Sequence, residues 1–211
     1  MTFFIEWMAD GRFGSASMTA FDPSVLVGEE LRSDRLDLRM LDESVLEDMF
    51  EYSRDERLYR FFEFPPQNTK NETLAYIGRL EARMQDGMAH YWAIHERSIG
   101  KMIGSVGILE VDTRKRDCQI GYGINPAFWR QGYFGEAMIL VIGHLFMNHG
   151  FHRISAVTQA DNLPSIDGLK SLGFSVEGKL RDYYLDHRGQ RHDAVLLSML
   201  RHDDAATLIT N

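Results

Sequence analysis

The sequence predicts a mixed α/β fold, and three observations predict it. Short runs of period-two apolar alternation are interleaved with helical spacing. Three strand-like runs follow one another between residues 91 and 124, separated only by turn-forming or charged residues. The remaining connections leave room for few helical crossovers.

Taken in order, Arg35-Leu36-Asp37-Leu38-Arg39-Met40-Leu41 alternates as a half-buried strand. Asp42 then caps a helix carrying Val45, Leu46, Met49 and Phe50 at helical spacing. Phe61-Phe62-Glu63-Phe64-Pro65-Pro66 cannot continue a helix, because proline lacks the amide hydrogen and clashes with the preceding turn. It forms an aromatic loop. Beyond it, Leu74, Ile77, Leu80 and Met84 mark a second helix from Asn71 to Met84, stopped at Gly87. Tyr91–His95, Met102–Val111 and Asp117–Ile124 read as an antiparallel meander. A long helix from about Gly132 to His149 ends at Gly150-Phe151, and His152–Thr158 is a strand. Asn162 caps a short helix that ends at Leu172-Gly173-Phe174. Strands at about Phe174–Asp182 and Ala194–Leu200 close the chain.

Of 211 residues, 44% are hydrophobic and 26% charged, which excludes whole-chain disorder, collagen and coiled coil. The single cysteine, Cys118, closes no intramolecular disulfide and reads as buried and inert. The eight histidines show no zinc-site spacing, and His144, His149 and His152 do not share a helix face; no metal is expected. A reducing, cytoplasmic setting follows. No apolar run reaches 18 residues and no secretory signal opens the chain, so neither membrane nor export is expected. Met138, Leu140, Val141, Ile142, Leu145 and Phe146 read as a buried central helix. The net charge of -8 argues against nucleic acid and favours a cationic or neutral partner. Residues 1–34 carry six acids against two bases and no sustained periodicity. They read as an N-terminal extension with one short element at Phe3–Met8, laid on the core or on a dimer partner. A domain at 35–203 and a tail at 204–211 complete the organisation, as a monomer or homodimer.

The chemistry concentrates in Ile120-Gly-Tyr-Gly-Ile-Asn-Pro-Ala-Phe-Trp-Arg-Gln-Gly-Tyr-Phe-Gly-Glu-Ala-Met138. A strand runs into a loop that opens a helix with Gly132 and Gly135 in its first turn. Such a start offers unbonded N–H donors at the positive helix end, and glycine lets an anion approach them. The pattern suits a pyrophosphate, with ordinary close packing as the plainer alternative. Gly121-x-Gly123 lacks the third glycine of a dinucleotide fingerprint, and Pro126 interrupts the strand-to-helix passage. Gly173 to Lys179 mimics a phosphate loop, but Leu180 stands where serine or threonine is required.

The run from Arg35 to about Arg201, about four fifths of the chain, resembles the GNAT acyl-CoA N-acyltransferases. Within them it is most similar to the branch of ribosomal-protein alanine and spermidine N-acetyltransferases. The matching residues are Arg35-Leu-Asp-Leu-Arg39, Ile120-Gly-Tyr-x-Ile-x-Pro with Trp129-x-x-Gly132-Tyr133-x-x-Glu136-Ala137, Asn162-x-x-Ser165 leading to Leu172-Gly173-Phe174, and Glu177-Gly178-x-Leu180-Arg181-Asp182. The resemblance implies a mostly antiparallel sheet, flanked by helices and splayed between the fourth and fifth strands. It implies acetyl-coenzyme A as co-substrate, its pyrophosphate on Arg130, Gln131, Gly132, Tyr133, Phe134 and Gly135. Strand backbone at Tyr122, Gly123 and Ile124 would align the pantetheine and polarise the thioester. Asn162 and Ser165 would lie beside the pantetheine and sulfur.

A thioester is already activated, so the enzyme needs only to position a neutral amine, stabilise the oxyanion and manage protons. Ser165 is the candidate acid toward the leaving thiolate, or a helix-capping hydroxyl, and the roles can coexist. This chain departs from the family pattern at Trp129, at Phe134 where alanine or glycine is usual, and at Gln119 where the branch often has glutamate. Phe134 fits only if it turns away from the phosphate. Leu169 replaces the tyrosine acid of many relatives and cannot donate a proton. Glu63, Tyr183 and Tyr184 are candidates for the base or for structural and wall residues, and the aromatic loop for core or acceptor pocket. The expected activity is acetyl transfer to a primary amine of a protein N-terminus, polyamine or amino sugar. An amino-sugar nucleotide would need Arg181, Arg188 or Arg191 turned toward the site. A non-catalytic acyl-CoA-binding module is the alternative, motivated by Leu169, Gln119 and Phe134.

Overall fold

The computed structural model describes residues 29–203 and arranges them around one eight-stranded sheet. The element expected at Phe3–Met8 and the tail 204–211 lie outside the described residues. Leu31–Arg32 (β1) pairs antiparallel with Leu36–Met40 (β2), which pairs with His90–Glu96 (β3). Lys101–Asp112 (β4) and Asp117–Ile124 (β5) complete the expected meander. Arg153–Gln159 (β6) lies parallel to β5, and the hairpin of Ser175–Leu185 (β7) and Arg191–Leu200 (β8) places β8 antiparallel to β6. The spatial order is β1-β2-β3-β4-β5-β6-β8-β7.

One junction differs from the rest. β5 and β6 share only the register pairs Asp117–Arg153, Cys118–Ile154 and Gln119–Ser155. From Ile120 to Ile124 no β6 residue pairs with β5, and the sheet opens there. The two-residue β1 at the edge makes these the fifth and sixth strands, where the resemblance numbers them fourth and fifth.

The helices form where their ends are satisfied. Asp42 accepts from Ser44 N–H and starts a 3-10 turn into Leu46–Ser53 (α1). Glu56–Tyr59 (α2), absent from the sequence expectation, is a single turn nucleated by Asp55, which accepts from Arg57 N–H and its guanidinium. Lys70–Gln85 (α3) opens with a capping box in which Thr69 and Glu72 each satisfy the other's backbone N–H. Tyr133–Met147 (α4) and Leu163–Ser171 (α5) follow the gaps after β5 and β6. At the end of α5, left-handed Gly173 (φ 97°) lets Phe174 N–H reach Leu169 O at 3.1 Å.

Two apolar clusters sandwich the sheet. α4 and α5 bury Val141, Leu145, Phe146 and Leu169 on one face, against Leu38, Ile108, Ile120 and Ile154. α1 and α3 bury Met49, Ile77 and Leu80 on the other, against Tyr91 and Leu109. Cys118 is buried, and desolvation pushes its thiol far above the usual range, so it is inert. No helix among the described residues is long and apolar enough to cross a membrane.

The histidine spacing misleads at one place. α4 ends at Met147, and the turn beyond it brings His149 back until its Nε2 stands 2.9 Å from that of His144. Helical spacing no longer governs past the last turn, so two of the three histidines meet. His152 packs on His202 instead, ring centroids 5.7 Å apart. His90 is buried in the same neighbourhood; desolvation, with His144 and His149 nearby, pushes it down to about 4.

Candidate active site

The glycine loop occupies the top of the opening in the sheet. Left-handed backbone at Arg130 (φ 60°) and Gly132 (φ 81°) bends the chain sharply into α4. A non-glycine residue held in that region costs on the order of 1–2 kcal/mol, a strain that proteins retain mainly at functional loops. α4 begins without a side-chain cap, and its first bonded amide is Glu136 N–H, to Gly132 O at 3.1 Å. The N–H groups of Tyr133, Phe134 and Gly135 precede it and have no helical carbonyl to reach.

This loop is clasped by a residue whose role spacing did not reveal. Arg35 donates to Glu136 Oε2 at 2.7 Å and to Gln131 O at 3.0 Å, and lies 4.5 Å from the centre of the Tyr133 ring. Ser33 Oγ donates to the other Glu136 oxygen at 2.6 Å. Burial alone would raise the Glu136 pKa, but Ser33 and Arg35 hold it below the usual carboxylate value. Gln131 Nε2 donates to Ala127 O, and the Trp129 indole donates to Ile124 O at 2.7 Å. The loop is therefore set from both sides before any ligand arrives.

Beneath the loop, the open stretch of β5 faces the start of α5. Asn162 Oδ1 accepts from Ser165 N–H, and Asn162 Nδ2 donates to Thr158 Oγ1. Capping thus belongs to Asn162. Ser165 Oγ instead lies 2.7 Å from the Tyr122 hydroxyl. Desolvation pushes the Tyr122 phenol well above its ordinary value, the Ser165 hydrogen bond opposing, so it stays protonated through neutral pH. Phe134 turns inward: its ring sits 4.6 Å from the Tyr122 ring, and a Cβ on Gly168 would come within 2.9 Å of it. Leu169, fully buried, offers no proton.

The opposite face of β4 and β5 carries an aromatic cleft. Tyr52, Tyr59, Phe62, Phe64, Tyr76 and Tyr91 line it, with Gly107, Gly121 and Gly123 of the strands as its floor. Phe62 and Phe64 stack at 5.4 Å, so the aromatic loop is a wall and not core. Two bonds tie that loop across the opening: Gln159 Nε2 donates to Phe61 O, and Leu185 N–H donates to Glu63 at 2.8 Å. Desolvation raises the pKa of the Tyr183 and Tyr184 phenols, with Glu110 and then Glu63 adding to the first and Tyr183 and then Glu63 to the second. Tyr184 is buried and donates to Val157 O at 2.9 Å, a structural contact; Tyr183 is exposed.

A carboxylate that the sequence reading passed over stands beside this group. Glu110 on β4 is the register partner of Gln119 on β5, the position where the branch often carries glutamate. A register shift between Ile108 and Glu110 interrupts the strand's alternation there. Burial pushes the Glu110 carboxyl above its usual value, against the pull of Arg83, and its charge in turn acts on Tyr183. The site thus brings together Tyr122, Gly123, Ile124, the 130–135 loop, Asn162 and Ser165 at the opening. Glu63 and Glu110 both lie within electrostatic reach of Tyr183.

Known proteins resemble this chain in sequence and in fold. The model of the acetyltransferase (GNAT) domain matches residues 35–175. The uncharacterised N-acetyltransferase YoaA of Bacillus subtilis is 29% identical over 171 residues, covering 81% of this chain and 96% of that one. The ribosomal protein uS5 alanine N-acetyltransferase of Escherichia coli is 27% identical, covering 82% and 91%. Among solved structures, a GCN5-related N-acetyltransferase from Brucella melitensis superposes with a TM-score of 0.76 at 19% identity, covering 83% and 80%. The RimL ribosomal L7/L12 alpha-N-protein acetyltransferase in complex with coenzyme A gives 0.73 at 21% identity, covering 82% and 98%. A domain match over two thirds of the chain, an opened sheet and a clasped glycine loop agree, and the chain belongs to the GNAT acetyltransferases as an N-acetyltransferase.

Proposed function

We propose that the protein transfers acetyl from acetyl-coenzyme A to the α-amine of a peptide N-terminus by direct attack on the thioester. The observation that carries this reading is the opening between β5 and β6, which joins the amide-rich loop on one side to the aromatic cleft on the other. When bound, the co-substrate supplies an activated acyl group, so no covalent enzyme intermediate is needed. The N–H groups of residues 130–135 suit its pyrophosphate, since the helix start concentrates positive charge where they point. The free edge of β5 at Tyr122 to Ile124 suits the amides of its pantetheine.

Glu110 takes the proton that the attacking ammonium must lose, a raised carboxyl pKa bringing its basicity closer to neutral pH. The paired hydroxyls of Ser165 and Tyr122 return a proton to the departing thiolate, in place of the tyrosine that Leu169 replaces. Tyr183 stays a wall residue over the amine's entry. Glu63 positions the aromatic loop through Leu185 N–H.

The cleft supports a peptide end over the other acceptors considered. Among the described residues its lining is uncharged, and the one carboxylate assigned to the amine, Glu110, serves a single ammonium and not the several of a polyamine; no basic residue of the lining awaits a sugar nucleotide. Arg191 is turned to Asp182 O instead. A relative named for uS5 alanine acetylation points the same way. The departures that motivated a non-catalytic module have structural substitutes: Phe134 is packed on Gly168, Gln119 faces Glu110, and Leu169 is matched by the Tyr122–Ser165 pair.

The test is thiol release from acetyl-coenzyme A with peptides differing in their first residue, against spermidine and glucosamine. Peptide-dependent release at rates at least tenfold above the other amines is expected. Tight binding of coenzyme A with no transfer to any amine would establish the binding module instead.

A further inference from the structure

At the far end of α4 from the glycine loop, roughly 16 Å along the helix, three ligand-type atoms converge. His144 Nε2 lies 2.9 Å from His149 Nε2 and 2.9 Å from Glu29 Oε2, and His149 Nε2 lies 3.6 Å from the same oxygen. With the carboxylate ionised, hydrogen bonding cannot satisfy this triangle. Protons on both rings, each aimed at Glu29, set N–H against N–H between the histidines. A proton on one ring alone leaves the other nitrogen's lone pair facing the carboxylate. Whichever tautomers form, one edge sets like against like.

A cation relieves all three edges at once. Tetrahedral zinc with bonds of ~2.0–2.1 Å holds its ligand atoms about 3.3 Å apart, and the observed edges bracket that spacing. Two neutral imidazoles and one carboxylate are the donor set that borderline divalent metals prefer. Both histidine side chains are buried, whereas that of Glu29 is 47% exposed and leaves a path for entry. The surroundings hold the carboxylate's backbone in place, since the Trp92 indole donates to Glu29 O at 3.4 Å. The independent pointer is His90, 2% exposed with its Nε2 buried and without a hydrogen-bond partner. It lies within electrostatic reach of His144 and His149, and its ring packs on Trp92 at 4.2 Å, which in turn meets His144 at 6.3 Å.

We propose that Glu29, His144 and His149 form a divalent transition-metal site, of the zinc class, with a fourth position left for water or His90. The site ties the segment entering β1 to the end of α4. It closes a loop of more than a hundred residues, so its contribution is to stability and not to acetyl transfer.

The full chain, stripped with a chelator, is titrated with Zn²⁺ against a chromophoric competitor while its Tm is followed. One equivalent is expected to bind, raising Tm by about 5–10 °C when free Zn²⁺ exceeds Kd a hundredfold. Glu29→Gln and His149→Asn should each weaken binding at least tenfold. Glu29 is half-exposed and His149 lies on the turn beyond the end of α4, so these variants are expected to fold even where a His144 substitution does not. His152→Asn should leave binding unchanged, and an anomalous-scattering peak at the zinc edge should fall between the three ligands. Unaltered affinity in both variants, a peak beside His152 and His202, or no bound equivalent would each overturn the assignment.

Discussion

Replacing Glu110 by glutamine is expected to make the protein more stable and far less active. Burial raises the carboxyl's pKa above 4.5, and the charge of Arg83, which opposes it, is the smaller effect. A folded value above the unfolded one means that the native state holds this proton more tightly. The stability it contributes is complete below about 4.5 and is lost as pH rises through the folded value. At pH 7 the ionised group is therefore a net burden on the fold, which a neutral amide of the same shape removes. Loss of a general base costs ~10²–10⁴-fold in rate. Because Glu110 is only half-buried, water can stand in for it, and the lower end applies: about a hundredfold in kcat, or ~2.7 kcal/mol of barrier. The assay is steady-state thiol release with a saturating peptide from pH 5.5 to 9, beside thermal melts at pH 4 and 7. Wild-type kcat should climb with pH through the folded value of Glu110, and the variant should lose that limb. Its gain in Tm at pH 7 should shrink at pH 4. A variant with unchanged kcat, or one losing stability together with activity, would refute the assignment of the base.

Further expectations concern the opening and its clasp. Ser165→Ala and Tyr122→Phe should each reduce kcat at least tenfold with little change in coenzyme A affinity by calorimetry; the double variant should be no worse than Ser165→Ala, because hydroxyls 2.7 Å apart act as one unit. Gly132→Ala places a Cβ at φ 81° and 3.3 Å from the Arg35 guanidinium, a strain of about 1–2 kcal/mol, and should raise KM for acetyl-coenzyme A about tenfold while far-ultraviolet dichroism stays unchanged. Arg35→Met should weaken coenzyme A binding and leave Glu136 supported by the Ser33 hydroxyl and the residue-35 backbone N–H, without the guanidinium. The stability that Glu136 contributes above its unfolded value near 4.5 is lost as pH falls through its depressed folded value, so an acid melt of the variant should begin at higher pH.

Most of the frame was readable because it obeys local rules. β5 has the bounds its alternation predicts, Asp42 and Asn162 cap where capping chemistry places them, and Gly150 and Gly173 terminate helices with positive φ. What escaped was decided by distant contacts. α2 is a single turn held by Asp55 and Arg57, too short to show a period. β7 runs on to Leu185 because register shifts and Asp182 (φ 50°) break its alternation. Glu110 stayed hidden because its significance depends on a neighbouring strand's register and on a bulge that resets parity. The glycine loop was legible as a turn into a helix start, but not that Arg35, about a hundred residues earlier, would hold it. Ser165 was legible as a hydroxyl at a helix start, whereas its partner Tyr122 lies on a strand that only the fold brings near.

Three register pairs join the two halves of the sheet, on a seam whose one face is packed under α4 and α5 and whose other is spanned by Gln159 and Glu63 reaching the aromatic loop. Cooperative units commonly part along such lines. The amides that bond across the Asp117–Gln119 stretch of β5 and β6 should then report sub-global breathing in hydrogen exchange, ahead of those inside the meander. A carrier bound across the gap is expected to staple the halves together and slow that exchange.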